Sequence, residues 1–191
     1  RHNDLLLDGD FDKGDVFPEI LLINSHDGLS SYQLRAGIFR LVCSNGLVVS
    51  EADFGTVRIC HQAFDPKEVY EASEMFCENA SNLNSTINEW RETRLDPVQQ
   101  REFSTRAARV RFNNPNRDMV DNVAMSRREA DNDNSLWTAF NRCQENLMSG
   151  GWLNMETRRR VRPIKSIQKN VQINSELWDL ASKYSGEVSN N

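Results

Sequence analysis

The stretch between Ile20 and Val49 constrains the fold more than any other part of the chain. It carries three apolar runs separated by two short polar segments, which contain Asp27-Gly28 and Asn45-Gly46. Both dipeptides favour tight hairpin turns, because Gly adopts a positive φ without strain. Apolar runs beside such turns predict strands, and the connections are too short for parallel crossovers. Together with the alternating run Phe54–His61, they predict an antiparallel sheet over about residues 5–61.

After this stretch the hydrophobic spacing changes to that of a helix. Asp65 and Pro66 supply a cap and a first helical residue, and small or apolar side chains then recur every three or four positions as far as Trp90. This pattern predicts a helix over about residues 65–93. A single apolar seam of this length needs a partner, which would be the sheet, a second helix or another subunit.

A second cap signal at Asp96-Pro97 predicts a helix over about residues 96–112, forming a helical hairpin with the first. Residues 113–134 are rich in Asn, Asp and Arg and poor in large apolar side chains, which predicts a long loop.

Two shorter helices are predicted near the end of the chain. Ser135 caps the first, over about residues 135–148, and Asn174 or Ser175 caps the second, over about residues 175–184. We therefore expect a single α+β domain over residues 1–191. In it the antiparallel sheet is packed by the long helix, the helical hairpin and the two C-terminal helices.

Charge is distributed unevenly along the chain. The net charge is −5, yet the segment from Thr157 to Asn174 holds six basic residues and no acidic one. Pro163 disfavours a helix at the start of this segment, so we expect an extended basic strip suited to phosphate contacts. The alternative is a solvated run, or one that docks on the acidic remainder of the protein.

Cysteine usage and hydropathy exclude other classes of protein. The four cysteines contain no C-x-x-C pair, which argues against a zinc ribbon and favours buried thiols in a reduced compartment. No apolar run reaches the roughly 18 residues of a membrane span, so we expect no membrane partner and a location in the cytoplasm. The start of the chain at Arg1, without Met, predicts that it is part of a longer protein.

Four residues are candidates for catalysis. His26, Asp27 and His61 would supply imidazole and carboxylate groups for a divalent metal or for acid–base work, although Asp27-Gly28 is primarily a turn signal. Glu145 lies in a polar triplet, Gln144-Glu145-Asn146, on a helix with an apolar face. It is either a metal ligand or base, or part of a buried polar network.

Three stretches carry a family resemblance: NSHDGLSSYQLRAGIFRLVCSNGLVV, LWTAFNRCQENLMSGG and RRRVRPIKSIQKNVQINSELWDLA. In order and motifs they resemble the phage- and plasmid-borne family described as domain of unknown function 932. The resemblance implies a mobile-element protein in a bacterial host and carries no established activity. The succession of strands followed by a long helix is also similar to that of single-strand annealing proteins, which form rings with DNA in a basic groove.

We expect a non-enzymatic protein of a phage or plasmid that binds, and in one version anneals, single-stranded DNA as a homo-oligomer without a cofactor. Tyr32 or Trp152 would stack on bases. The predicted phosphate contacts are Arg35, Arg40, Arg58, Arg158, Arg159, Arg160, Arg162 and Lys165. One alternative is a metal-dependent nuclease or hydrolase that uses His26, Asp27 and His61. The other is a protein–protein module that inhibits a host defence enzyme.

Overall fold

The structure, a computed structural model, describes residues 16–23, 32–40, 47–48, 56–59, 67, 70–71, 74 and 84–190. The chain divides into two compact units, Arg1–Ser85 and Thr86–Asn191. The described part of the first unit is mainly an antiparallel sheet, and the described part of the second is mainly helical. These elements are compatible with the α+β class, and the single domain over residues 1–191 stays a prediction.

The sheet is built around one central strand. Its strands are β1 (Val16–Ile23), β2 (Tyr32–Arg40), β3 (Leu47–Val48) and β4 (Thr56–Ile59). β2 pairs antiparallel with each of the other three. Because β1 pairs with β2 along its whole length, β3 and β4 share the opposite edge of β2. The strands predicted from the apolar runs are confirmed, whereas the two turn dipeptides lie outside the described residues.

The second unit consists of five helices, one 3-10 turn and one small hairpin in its described part. Residues 84–92 form α1. The other elements are α2 (Pro97–Arg111), α3 (Arg117–Ala124), the 3-10 turn Glu129–Asp131, α4 (Leu136–Ser149), β5 (Leu153–Asn154), β6 (Arg159–Arg160) and α5 (Ile167–Ser189).

Side-chain caps fix the starts of α2 and α4 where the sequence predicts them. The Asp96 carboxylate accepts hydrogen bonds from the backbone N–H groups of Val98 (2.7 Å) and Gln99 (2.8 Å). The Gln99 side chain returns a bond to the backbone N–H of Asp96, which completes a capping box. Ser135 accepts a bond from the backbone N–H of Thr138 at the start of α4.

The predicted loop over residues 113–134 is wrong, because α3 lies within it. Asn116 caps this helix, and Met119, Val120 and Val123 form its buried stripe. These three apolar residues suffice to bury one side of the helix, because their spacing places them on one face of its two turns.

The predicted start of the last helix is also wrong. The helix begins at Ile167, capped by Ser166, and continues to Ser189. Asn174 lies inside the helix, where its side chain donates to Asn170 Oδ1 (2.8 Å). Asn is typical of helix caps, but here its side chain bonds to another side chain. The residues from Ser185 to Ser189, beyond the predicted end of this helix, are helical as well, and Ser185 donates to Glu89 Oε1 at 2.6 Å.

Aromatic rings form the core of the helical unit. The ring centroid of Trp90 lies 4.5 Å from that of Trp178 and 5.5 Å from that of Phe140. The ring of Phe140 also stacks on that of Trp137. Such pairs each contribute about 0.5–1.5 kcal/mol beyond the area that they bury. Trp90, which belongs to the predicted apolar seam, therefore packs against α4 and α5 of the same chain. Its members before residue 84 lie outside the described residues.

No helix in the described part of the chain is both long and apolar enough to cross a bilayer.

Candidate nucleic-acid interface

The basic strip, defined here as residues 158–169, runs along the surface of the helical unit. It begins at the tip of the β5–β6 hairpin, continues through β6 and an extended segment, and ends in the first turn of α5. Its six basic side chains, which are all exposed, are those of Arg158, Arg159, Arg160, Arg162, Lys165 and Lys169. Lys169 was not among the predicted phosphate contacts, and it lies at the end of the strip in the first turn of α5.

Local hydrogen bonds shape the hairpin that carries the first three arginines. Leu153 pairs with Arg160, and Asn154 pairs with Arg159. The side-chain Oδ1 of Asn154 accepts bonds from the backbone N–H groups of Glu156 (3.0 Å) and Thr157 (3.1 Å), which closes the turn. Arg158 then adopts a positive φ of 55°.

The hairpin is joined closely to the C-terminal end of α4. Gly150 ends that helix with a φ of 56°, and a Cβ at this position would lie 2.6 Å from the carbonyl oxygen of Val161. Backbone bonds run from Gly151 N–H to Val161 O (2.8 Å) and from Ile164 N–H to Met148 O (2.9 Å). These contacts fix the backbone of the strip against α4.

Arginine side chains satisfy the carbonyl groups at this helix end. Arg127 donates to Gly150 O and Arg160 donates to Gly151 O, both at 2.6 Å. Arg111 donates to the carbonyl oxygens of Leu147 and Arg162, and burial lowers the pKa of its guanidinium. A helix C-terminus leaves carbonyls unpaired and carries partial negative charge, so cations are stabilised there. Arg160 is consequently committed in part to holding the hairpin.

The other five cations of the strip have no acidic partner within the part of the chain that the structure describes. Elsewhere in the unit, several arginines do pair with acids. Arg101 contacts Asp121 at 2.9 Å, and Arg106 contacts both Glu102 and Glu187.

The other predicted phosphate contacts lie in the sheet. Arg35 and Arg40 are in β2, and Arg58 is in β4, where it pairs with Gln33. Tyr32 begins β2. Their roles in binding stay predictions.

Trp152, the second stacking candidate, is buried in the helical unit. Its ring meets that of Phe112 edge-on at 5.7 Å, and its Nε1 donates to Asn146 O at 3.4 Å. Only 7% of the residue is exposed. Stacking of Trp152 on a base stays a prediction, and it would require the hairpin to move away from α4.

Among the catalytic candidates, only Glu145 lies in the described part of the chain; His26, Asp27 and His61 lie outside it. Glu145 is buried on α4, and Arg128 Nη2 donates to its Oε1 at 2.6 Å. The described residues hold no cluster of three or more His, Cys, Asp or Glu side chains that could bind a metal. The nuclease hypothesis therefore stays a hypothesis.

The rest of the polar triplet forms buried hydrogen bonds that tie α4 to its neighbouring helices. Gln144 Nε2 donates to Asn174 Oδ1 (3.0 Å), which ties α4 to α5. Asn146 Nδ2 donates to the carbonyl oxygens of Val123 (3.1 Å) and Met125 (2.8 Å), which ties α4 to the end of α3. Consecutive polar residues on an apolar helix were the signal for this network.

Cys143, on the same helix, is a buried thiol of the expected kind. Burial raises its pKa to about 12, so it stays protonated at neutral pH and is a poor nucleophile.

A known protein family matches most of the chain. The family described as Domain of unknown function (DUF932) matches residues 5–178, which include the sheet, the polar triplet and the basic strip. The chain belongs to the DUF932 family. Membership confirms the resemblance carried by the three motifs.

Two relatives of this DUF932 protein come from Escherichia coli strain K12: UPF0380 protein YafZ and UPF0380 protein YfjQ. Each is 35% identical over 172 residues, which cover 88% of this chain and 63% of the relative. No solved structure matches the chain. The similarity to annealing proteins gains no support from the family or from these relatives, and it rests on the order of the elements alone.

Proposed function

We propose that this DUF932 protein binds nucleic acid, with single-stranded DNA as the preferred ligand, by placing the basic strip against the phosphate backbone. The observation that carries the proposal is the set of five exposed cations that have no acidic partner among the described residues, in contrast to the paired arginines of α2. Unpaired guanidinium and ammonium groups keep their donors available for phosphate oxygens. A surface cation already bound to a carboxylate would have to lose that partner first.

Five phosphate contacts would make the binding affinity strongly dependent on salt concentration. Each phosphate contact on a single strand contributes about −0.7 to the slope of log K against log salt concentration. Contacts by all five cations would therefore weaken binding about 100-fold between 50 and 200 mM salt.

The wider proposal includes the remaining parts of the sequence hypothesis. Arg35, Arg40 and Arg58 add phosphate contacts from the sheet, and copies of the chain associate on the DNA. The protein would act in DNA transactions of a phage or plasmid in the bacterial cytoplasm. These parts rest on the sequence patterns described above.

The test is fluorescence anisotropy with a labelled single-stranded oligonucleotide at several salt concentrations. The variant Arg158→Asn/Arg159→Gln removes two unpaired charges, and Asn tolerates the positive φ at position 158. The matched control, Arg101→Gln/Arg117→Gln, removes two charges that both contact Asp121. We expect the strip variant to bind at least tenfold more weakly with a shallower salt slope, and the control to bind within about twofold of the wild type.

Three outcomes would overturn the proposal. The first is salt-insensitive binding, or no binding, by the wild-type chain. The second is equal weakening by the two double variants, which would indicate a general charge effect. The third is cleavage of the oligonucleotide in Mg²⁺ or Mn²⁺ that is lost in His26→Ala, which would favour the nuclease.

A further inference from the structure

We propose that the tip of the β5–β6 hairpin contacts unpaired nucleobases through Met155 and Leu153, so that the protein selects single strands over duplexes. This inference rests on the proposed function, because the strip must first bring the nucleic acid to the hairpin. It assigns base contacts to two apolar residues that the sequence analysis did not single out.

The first observation is that exposed apolar side chains accompany the basic ones. Met155 is 51% exposed, Leu153 is 41% exposed, and Ile167, in the first turn of α5, is 63% exposed. The other large apolar residues exposed in the described part of this unit are Val98 and Met125. Three of these five therefore lie in or beside the basic strip.

The second observation is that hydrogen bonds hold the tip in one turn conformation. The turn is closed by the two bonds to Asn154, and its base is held by Arg160 donating to Gly151 O. Side chains on a fixed turn lose little conformational freedom on binding, so an apolar contact there is more effective than one on a flexible tail.

The third observation is the place of the two apolar residues relative to the charges. Cross-strand pairing sets Leu153 directly beside Arg160, and Met155 is three residues from Arg158 within the turn. A phosphate held by these arginines brings its base into reach of the neighbouring side chains. Bases offer apolar faces only when unpaired or unstacked, because a duplex stacks those faces on one another.

An anionic membrane would also attract a basic hairpin with an apolar tip. Membrane binding scales with the apolar area that enters the interface, and two side chains on a short turn supply little. A nucleobase is the better fit, since one apolar side chain covers much of one base face.

The experiment compares full-length Met155→Gln and Leu153→Gln with Val98→Gln, an exposed apolar residue at the start of α2. Ligands are a single strand containing 2-aminopurine, whose fluorescence rises on unstacking, and the matching duplex. We expect the two hairpin variants to bind the single strand about five- to tenfold more weakly and to lose the fluorescence change. Duplex affinity and the salt slope should stay unchanged, and Val98→Gln should match the wild type in every assay.

The outcomes separate this inference from the function on which it rests. If the strip variant Arg158→Asn/Arg159→Gln weakens binding while Met155→Gln and Leu153→Gln do not, the base contact is refuted and phosphate binding stands. If none of these variants affects binding, both fail. Loss of binding to phosphatidylserine vesicles in Met155→Gln, with DNA binding intact, would reassign the tip to a membrane surface. Recovery of single-strand binding in Met155→Leu would support an apolar contact.

Discussion

At the scale of single residues, the candidate interface depends on a glycine that carries no functional group. Gly150 ends α4 in a left-handed conformation, and the carbonyl oxygens of Val161 and Arg162 lie 2.6 and 3.0 Å from where its Cβ would stand. Only glycine permits both the φ angle and this close approach. The position of the basic strip against α4 therefore depends on the missing side chain.

We expect Gly150→Ala to lower the free energy of unfolding by about 2–4 kcal/mol, through overpacking against backbone and strain at positive φ. The matched control is Gly186→Ala, the same chemical change inside α5 with open space around the position. It should raise stability by about 0.5–1 kcal/mol, since alanine is the better helix former. Urea denaturation followed by circular dichroism measures both values. A loss at Gly150 as small as 0.5 kcal/mol would contradict the close approach.

Buried polar residues at the same scale were only partly readable from the sequence. The triplet Gln144-Glu145-Asn146 indicated a polar cluster, but its chemistry depended on partners distant in sequence. Arg128 neutralises Glu145, and Asn174 bonds to Gln144. A buried charge or amide is tolerated only when it is paired, and the identity of that pair is a tertiary fact.

At the scale of elements, helix starts were predicted correctly where the cap was unambiguous and wrongly where several cap residues competed. Asp96 and Ser135 stand immediately before apolar patterns that begin at once. Ser166, Asn174 and Ser175 are all cap-type residues within ten positions of the chain. The true cap is the first of them, because Val171 and Ile173 are buried and extend the apolar face backwards along the chain.

This correction has a direct test in the pair Ser166→Ala and Ser175→Ala. Ser166 accepts a bond from the backbone N–H of Lys169 at 3.4 Å, so its loss should cost about 0.5–1 kcal/mol. The hydroxyl of Ser175 is buried with no hydrogen-bond partner among the described residues, so its removal should be neutral or slightly stabilising. Thermal melts of the two variants give the comparison. If Ser175→Ala were the costlier change, α5 would begin where the sequence pattern placed it.

At the scale of the whole molecule, the second unit contains an aromatic core of its own. All four tryptophans lie in it, at Trp90, Trp137, Trp152 and Trp178, and each is at most 7% exposed. The ring contacts described for this core join residues of Thr86–Asn191 to one another. An apolar core enclosed within one stretch of chain is the property of a unit that can fold alone.

We therefore expect a fragment of residues 84–191 to fold without the rest of the chain. It should show helical circular dichroism, tryptophan emission at the short wavelengths of buried indoles, and a single cooperative melting transition. A fragment with Trp90→Ala is the control for specific packing, and it should lose several kcal/mol of stability. A non-cooperative melt of the parent fragment would instead favour the single domain expected over residues 1–191.

The sequence by itself determined the features that depend on neighbours along the chain. These are the strands of the hairpin region, the caps of α2 and α4, the family, and the basic segment that contains no acidic residue. Local steric preference and hydrogen bonding within a few residues suffice for each of them. Tertiary structure alone decided that α3 folds within the Asn-rich segment, that Arg128 pairs with Glu145, that Trp152 is packed inside, and that Met155 and Leu153 remain outside. Each depends on which groups distant in sequence come into contact, because burial and pairing are properties of the assembled core rather than of any one segment.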